Sequence, residues 1–170
     1  KKYDDAARTL LSGSKLVVDN DQQLMEFYSN LGDVYDKLKK FEDSDKYYQK
    51  ALNIDGSNVY VLNNWAYYLS VRNEQLEKAA EMSKKSNELS PDNANFLDTY
   101  AWILYRQGKF QDALTWLDKA RLAGGDNNGT VLEHYGDVLY KLGRVSEALT
   151  WWQKAKAPGE YSELLEKKLN

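Results

Sequence analysis

Residues 132–155 read LEHYGDVLYKLGRVSEALTWWQKA and hold the only histidine of the chain, His134, beside Glu133 and close to Asp137. Two readings compete. The segment is either an imidazole–carboxylate site or one copy of a structural unit. Successive residues on a helix project about 100° apart, so Glu133 and His134 cannot face each other as a base and its orienting acid would. The spacing of the other residues favours the second reading. Leu132, Tyr135, Gly136 and Leu139 fall at i, i+3, i+4 and i+7, which is one helix face with a small residue in its middle.

The same face occurs three more times, as Tyr28/Leu31/Gly32/Tyr35, Leu62/Trp65/Ala66/Leu69 and Leu97/Tyr100/Ala101/Leu104. Each is followed by a second helical pattern: Phe41/Ser44/Tyr48/Ala51, Leu76/Ala79/Ser83/Ser86, Phe110/Ala113/Leu117/Ala120 and Val145/Ala148/Trp152/Ala155. Small residues at such positions let two helices approach closely. The connecting stretches KLKKF, VRNEQL, RQGKF and KLGRV are short, and Gly108 and Gly143 suit a left-handed helix end. Asp55-Gly56, Ser90-Pro91-Asp92 and Gly124-Gly125-Asp126 supply turns after the second helices. From Ser44 to Ala79, Ala113 and Ala148 the steps are 35, 34 and 35 residues.

A helix–turn–helix unit of about 34 residues with these small and large positions resembles the tetratricopeptide repeat (TPR). The resemblance covers nearly the whole chain and implies an all-α, right-handed α-solenoid. The expected division is a second helix of a truncated repeat at 1–20, repeats at 25–58, 59–93, 94–128 and 129–157, and a capping helix at 160–170. Tyr3, Ala6, Leu10 and Gly13 carry the second-helix pattern with no first helix before them. The chain is therefore expected to be part of a longer protein. Tyr161, Leu164, Leu165 and Lys168 share one face, as a cap over the last repeat would. Lys39 and Asn73 replace the usual turn glycine, and the second repeat has one extra residue near Glu74–Gln75. "LNNWAYYLS" (62–70) and "FLDTYAWILYRQGKFQDAL" (96–114) are similar to a bacterial TPR subtype often found in envelope-associated or lipid-anchored proteins. Envelope and cytoplasm both remain open.

Composition narrows the function. A net charge of −3 gives no basic footprint for nucleic acid. With no cysteine, thiolate nucleophiles, thiolate metal sites and disulfides are excluded together. Asp19–Asp21 and Asp126–Gly129 resemble pieces of a calcium loop but lack its ligand spacing, so they read as turns. There is no phosphate-binding glycine motif and no apolar run of the roughly 20 residues a membrane helix needs. No cofactor and no enzymatic activity are expected, and no direct membrane insertion.

The resemblance implies that first helices line a concave groove. Its contact columns hold Glu26, Ser29, Asp33, Asp36 and Lys37, then Tyr60, Asn63, Tyr67, Ser70 and Val71. The third repeat gives Asn95, Asp98, Trp102, Tyr105 and Arg106, and the fourth Thr130, Glu133, Asp137, Tyr140 and Lys141. Aromatic side chains there can cover apolar ligand surface while their polar ends hydrogen-bond. The excess of acids predicts a neutral to basic protein segment as partner. Of the columns that grip a chaperone's C-terminal carboxylate in one TPR subtype, only Asn64 carries a fitting residue, so that function is not implied. The expected role is a protein–protein interaction scaffold. The rival role is structural: packing against the rest of a longer chain, or self-association through the uncapped N-terminal end. His134 falls in the column of Asn30, Asn64 and Thr99 and reads as a structural or groove-edge residue, with Trp152 in the core.

Overall fold

A computed structural model describes residues 2–159 and 161–169. Its helices, in order, are α1 (Lys2–Ser14), α2 (Asp21–Lys37), α3 (Phe41–Ile54), α4 (Val59–Arg72), α5 (Leu76–Leu89), α6 (Ala94–Arg106), α7 (Phe110–Leu122), α8 (Gly129–Lys141), α9 (Val145–Ala155) and α10 (Leu165–Leu169), with a 3-10 turn at Gly125–Asn127 before α8. The fold is an all-α solenoid. α2 packs on α3, α4 on α5, α6 on α7 and α8 on α9. The first helices of successive pairs also touch one another, α2 with α4, α4 with α6 and α6 with α8, which draws them together on the inside of the curve. Among the described residues no helix is long and apolar enough to cross a membrane.

The two ends of each pair are closed differently. Every first helix is capped by an asparagine: Asn20, Asn58, Asn93 and Asn128 accept hydrogen bonds from backbone N–H groups of the first turn. Such a cap is worth about 1 kcal/mol. None of the second helices α3, α5, α7 and α9 has a side-chain cap. Their entry is fixed by the tight turn before them, where Lys39, Asn73, Gly108 and Gly143 all take positive φ, between 58° and 80°. The two non-glycine residues thus keep the glycine geometry, and the extra residue of the second repeat is absorbed by Gln75 at φ 44°.

Packing within each pair depends on the small residue of the first helix. A Cβ on Gly32 would lie 2.8 Å from the Tyr48 ring, and one on Gly136 would lie 2.5 Å from Trp152 Nε1. Both rings are buried. In the second and third repeats the small residue is Ala66 or Ala101, and the matching positions of the second helix hold Ser83 and Leu117, all buried. Glycine therefore admits an aromatic ring, and alanine accompanies a smaller side chain.

The C-terminal segment departs from the expected cap over 160–170. Glu160 and Asn170 lie outside the described residues. The helix itself spans only Leu165–Leu169. Ser162 precedes it, giving its N–H and hydroxyl to Glu133, while its carbonyl accepts from the Leu165 N–H. Docking Ser162 on Glu133 delays the helix. Of the predicted face, Leu165 is in the core and Lys168 is ion-paired, whereas Tyr161 and Leu164 remain exposed.

Candidate functional site

The inner face is built from α4, α6 and α8, beginning with Tyr60 in the first turn of α4. Tyr60 (64% exposed), Tyr67 (37%) and Tyr140 (50%) present large aromatic surface. Trp102 and Tyr105 are half-buried and stack on each other, with ring centroids 4.7 Å apart. His134 continues the stack against the other side of Trp102 at 4.1 Å. Tyr105, Trp102 and His134 therefore form one ladder spanning the third and fourth repeats. Tyr67 packs edge-on against Tyr68, and Tyr60 edge-on against Phe96 of the next repeat. Asn64 is half-buried on the same face.

The acids behave differently from the expectation. Asn63, Asp98, Glu133 and Asp137 are buried and are not free groove groups. Asp98 is bonded to His134 Nδ1 at 2.9 Å, across the seam between the third and fourth repeats. Burial pushes the imidazole down, but the Asp98 carboxylate outweighs it, so His134 titrates above its ordinary value. Glu133, 2% exposed, accepts from Ser162 and from Lys168 Nζ at 2.6 Å. Burial pushes Glu133 up, and the hydrogen bonds from Lys168 and Ser162 more than reverse it, leaving its carboxyl below the usual range. Asp137 accepts from the Trp152 indole at 2.9 Å and from Lys168 at 2.7 Å, yet burial prevails and its carboxyl is raised. In the first repeat, Tyr48 donates to Asp33 and Arg72 pairs with Asp36. Asn63 Oδ1 is buried with no hydrogen-bond partner among the described residues.

The physical reason is the repeat itself. A carboxylate on the seam-facing side of a first helix is covered by the following repeat, or by the C-terminal segment, and burial demands a partner. Asp98, Glu133 and Asp137 are bonded within the array, whereas Tyr67, in the column of Asp137, stays exposed and Trp102 is half-buried. Arg72 belongs to this structural set. It is buried against Asp36 and Asp45 and lies over the Phe41 ring, tying α4 to the first repeat.

Outside the groove the aromatics are structural. Trp65 donates to Asp45 at 2.7 Å and Tyr135 to Asp118 at 2.8 Å, each reaching back to the preceding repeat. Trp151 packs on Tyr135, and Trp116 on Tyr100, between the helices of their own repeats. The calcium-like stretches are used as turns: Asn20 and Asn128 are caps, and Asp126 accepts from Arg121 at 2.7 Å. Among the described residues no group of three or more histidine, aspartate or glutamate side chains could hold a metal ion.

The tetratricopeptide repeat family model matches residues 26–58, the first full helix pair. The chain is a tetratricopeptide-repeat array. A second model, for anaphase-promoting complex (cyclosome) subunit 3, matches residues 72–155, from the last residue of α4 to the last of α9. A TPR repeat-containing protein of Pseudomonas aeruginosa is 40% identical over 63 residues, covering 37% of the array and 11% of that protein. The mitochondrial import receptor subunit TOM70 of Saccharomyces cerevisiae is 38% identical over 93 residues, covering 55% of the array and 15% of the receptor. The array thus spans only a small part of the curated relatives it matches.

Solved structures agree on the fold. PilW, a type IV pilus biogenesis factor, superposes with a TM-score of 0.80 at 16% identity, covering 98% of the array and 78% of that chain. MamA of strain AMB-1 gives 0.70 at 21% identity, with 98% and 90% covered. The pilF protein of Pseudomonas aeruginosa gives 0.69 at 19% identity, with 99% and 85% covered.

Proposed function

We propose that the array is a non-enzymatic interaction scaffold that holds an extended or helical protein segment across its inner face. The observation that carries this reading is the aromatic run of the exposed Tyr60, Tyr67 and Tyr140 with the half-buried Trp102 and Tyr105, set on helices whose acids Asp98, Glu133 and Asp137 are already paired within the fold. Such rings gain contact area at low conformational cost and are favoured anchors in protein interfaces. Asn64 adds a polar contact on the same face. The buried acids Asp98, Glu133 and Asp137, with Asn63, position the helices rather than touch the segment. His134 is stacked on Trp102 and bonded to Asp98, which supports a structural role over a catalytic one.

The expected preference for a neutral to basic segment rested on free acids, and most of those acids have internal partners. The aromatic surface is therefore the better guide to affinity. The test is a peptide array probed with the wild-type chain and with Tyr67→Ala and Trp102→Ala variants. Captured segments should lose at least about tenfold in affinity with either variant, since a central aromatic anchor is commonly worth 2 kcal/mol or more. Capture that both variants leave unchanged contradicts the groove reading.

A further inference from the structure

The inner face ends in a cleft of about 390 Å³ between the third repeat and the C-terminal segment, lined by Tyr105, Tyr140, Trp152, Lys141, Lys167 and Lys168, with Asp137 its one acid among the described residues. The charges in it are not equivalent. Asp137 is committed twice, to the Trp152 indole and to Lys168, and Lys168 is in turn held by Glu133 at 2.6 Å. That group is closed on itself. Lys141 and Lys167 are exposed and have no acidic partner among the described residues. Two unmatched cations thus stand at the rim of a cleft whose walls are the half-buried Tyr105 and the half-exposed Tyr140, and whose floor is the buried Trp152 ring. Although the chain is acidic overall, this end of the inner face is locally positive.

We propose that this cleft takes an acidic stretch of a bound protein segment, with an aspartate or glutamate between Lys141 and Lys167 and a neighbouring aromatic or aliphatic side chain between Tyr105 and Tyr140. This rests on the reading of the inner face as a segment-binding groove, and it gives that groove a direction and a charge preference at one end. Charge complementarity argues for the occupant. A carboxylate would meet two cations that have no acidic partner among the described residues, in a setting partly shielded from solvent by aromatic walls. A basic segment would add a third cation to the rim.

The test is fluorescence anisotropy on the intact chain, using a labelled peptide centred on Glu-Phe-Glu and its Lys-Phe-Lys counterpart, with a single-stranded oligonucleotide as a second polyanion. The wild type should bind the acidic peptide, more weakly as salt rises, and the basic peptide poorly. A Lys141→Glu/Lys167→Glu double variant should lose more than about tenfold for the acidic peptide and gain for the basic one. Circular dichroism should find both proteins equally helical, since both lysines are exposed. No binding of the acidic peptide, equal binding after charge reversal, or equal binding of the oligonucleotide would overturn the proposal. A Tyr67→Ala variant separates the two readings. If array-selected segments depend on Tyr67 but not on the two lysines, the groove stands and the acidic preference fails. If the acidic peptide depends on the lysines and nothing depends on Tyr67, the cleft stands and the wider groove fails.

Discussion

The outer and inner repeats solve one packing problem in two ways. In the first and fourth repeats a glycine, Gly32 or Gly136, lets an aromatic ring of the second helix lie against the backbone of the first. The polar tip of that ring, Tyr48 Oη or Trp152 Nε1, then donates to the next residue of the first helix, Asp33 or Asp137. In the second and third repeats alanine replaces glycine and the second helix supplies Ser83 or Leu117. The position after the small residue then holds Tyr67 and Trp102 in place of an acid bonded to that ring, and they pack on other aromatic side chains, Tyr68 for the first and Tyr105 and His134 for the second. One sequence column therefore serves cohesion at the ends of the array and, under the proposed function, recognition in its middle. The lesson is that a column in a repeat protein has no fixed role, because its partner within the repeat decides what it is free to do.

The largest effect that would break this comparison is removal of a ring. Trp152→Ala should cost about 3–5 kcal/mol in urea unfolding, because a fully packed aromatic leaves a cavity and Asp137 loses a donor. A change under 1 kcal/mol would mean that the fourth repeat is not held by the ring. Next comes the glycine. Gly136→Ala should cost about 1–3 kcal/mol through overpacking, since its Cβ would crowd Trp152 and lie 3.1 Å from the Ala148 carbonyl oxygen. Adding Trp152→Leu, which copies the third repeat, should recover part of that loss. A double variant no better than the sum of the two single changes would sink the complementarity argument.

The seams between repeats sharpen the contrast. The third and fourth repeats are joined by Asp98 and His134. In the column of Asp98 the second repeat has Asn63, whose Oδ1 is unpaired among the described residues. Because the folded pKa of His134 is raised, its contribution to stability is fully present below the unfolded value of about 6.5 and is lost as pH rises through the folded value. Thermal melts across that range should fall in midpoint as pH increases, and His134→Gln should flatten the slope. An unchanged slope would remove His134 from the seam's energetics. The smallest effect belongs to the second repeat. Ser83 Oγ is buried without a partner among the described residues, so Ser83→Ala should be neutral or stabilising by up to about 1 kcal/mol, measured by the same urea curves. A clear loss would mean that the hydroxyl is satisfied by water.

Much of this was legible in the sequence and some was not. The helix pairs follow from the spacing of large and small residues, because the small column records helix–helix distance directly. Trp152 could be placed in the core by comparison with Tyr48 and Leu117. The fate of the acids was hidden. Asp98, Glu133 and Asp137 look like groove residues on a single helix, and their partners lie 15 to 36 residues away, on another helix or in the C-terminal segment. Helical periodicity carries no information about such pairs. The asparagine caps were visible, since Asn20, Asn58, Asn93 and Asn128 each stand just before a first helix, but two of them were absorbed into calcium-like turn readings. The short C-terminal helix was overestimated because a shared face cannot reveal that Ser162 is held by Glu133.

The central claim is that recognition belongs to the inner aromatics and cohesion to the rest. It is tested most directly by the five tryptophan indole N–H signals in a nitrogen-15 NMR spectrum, recorded while a segment selected on the peptide array is added. Trp65 is bonded to Asp45, and Trp116 and Trp151 pack between the helices of their own repeats. Trp102 sits in the groove ladder and Trp152 at the floor of the terminal cleft. The account predicts that Trp102 shifts first and furthest, with Trp152 following only for acidic segments, while Trp65, Trp116 and Trp151 stay in place. A titration that moves Trp116 or Trp151 and leaves Trp102 unmoved would contradict it.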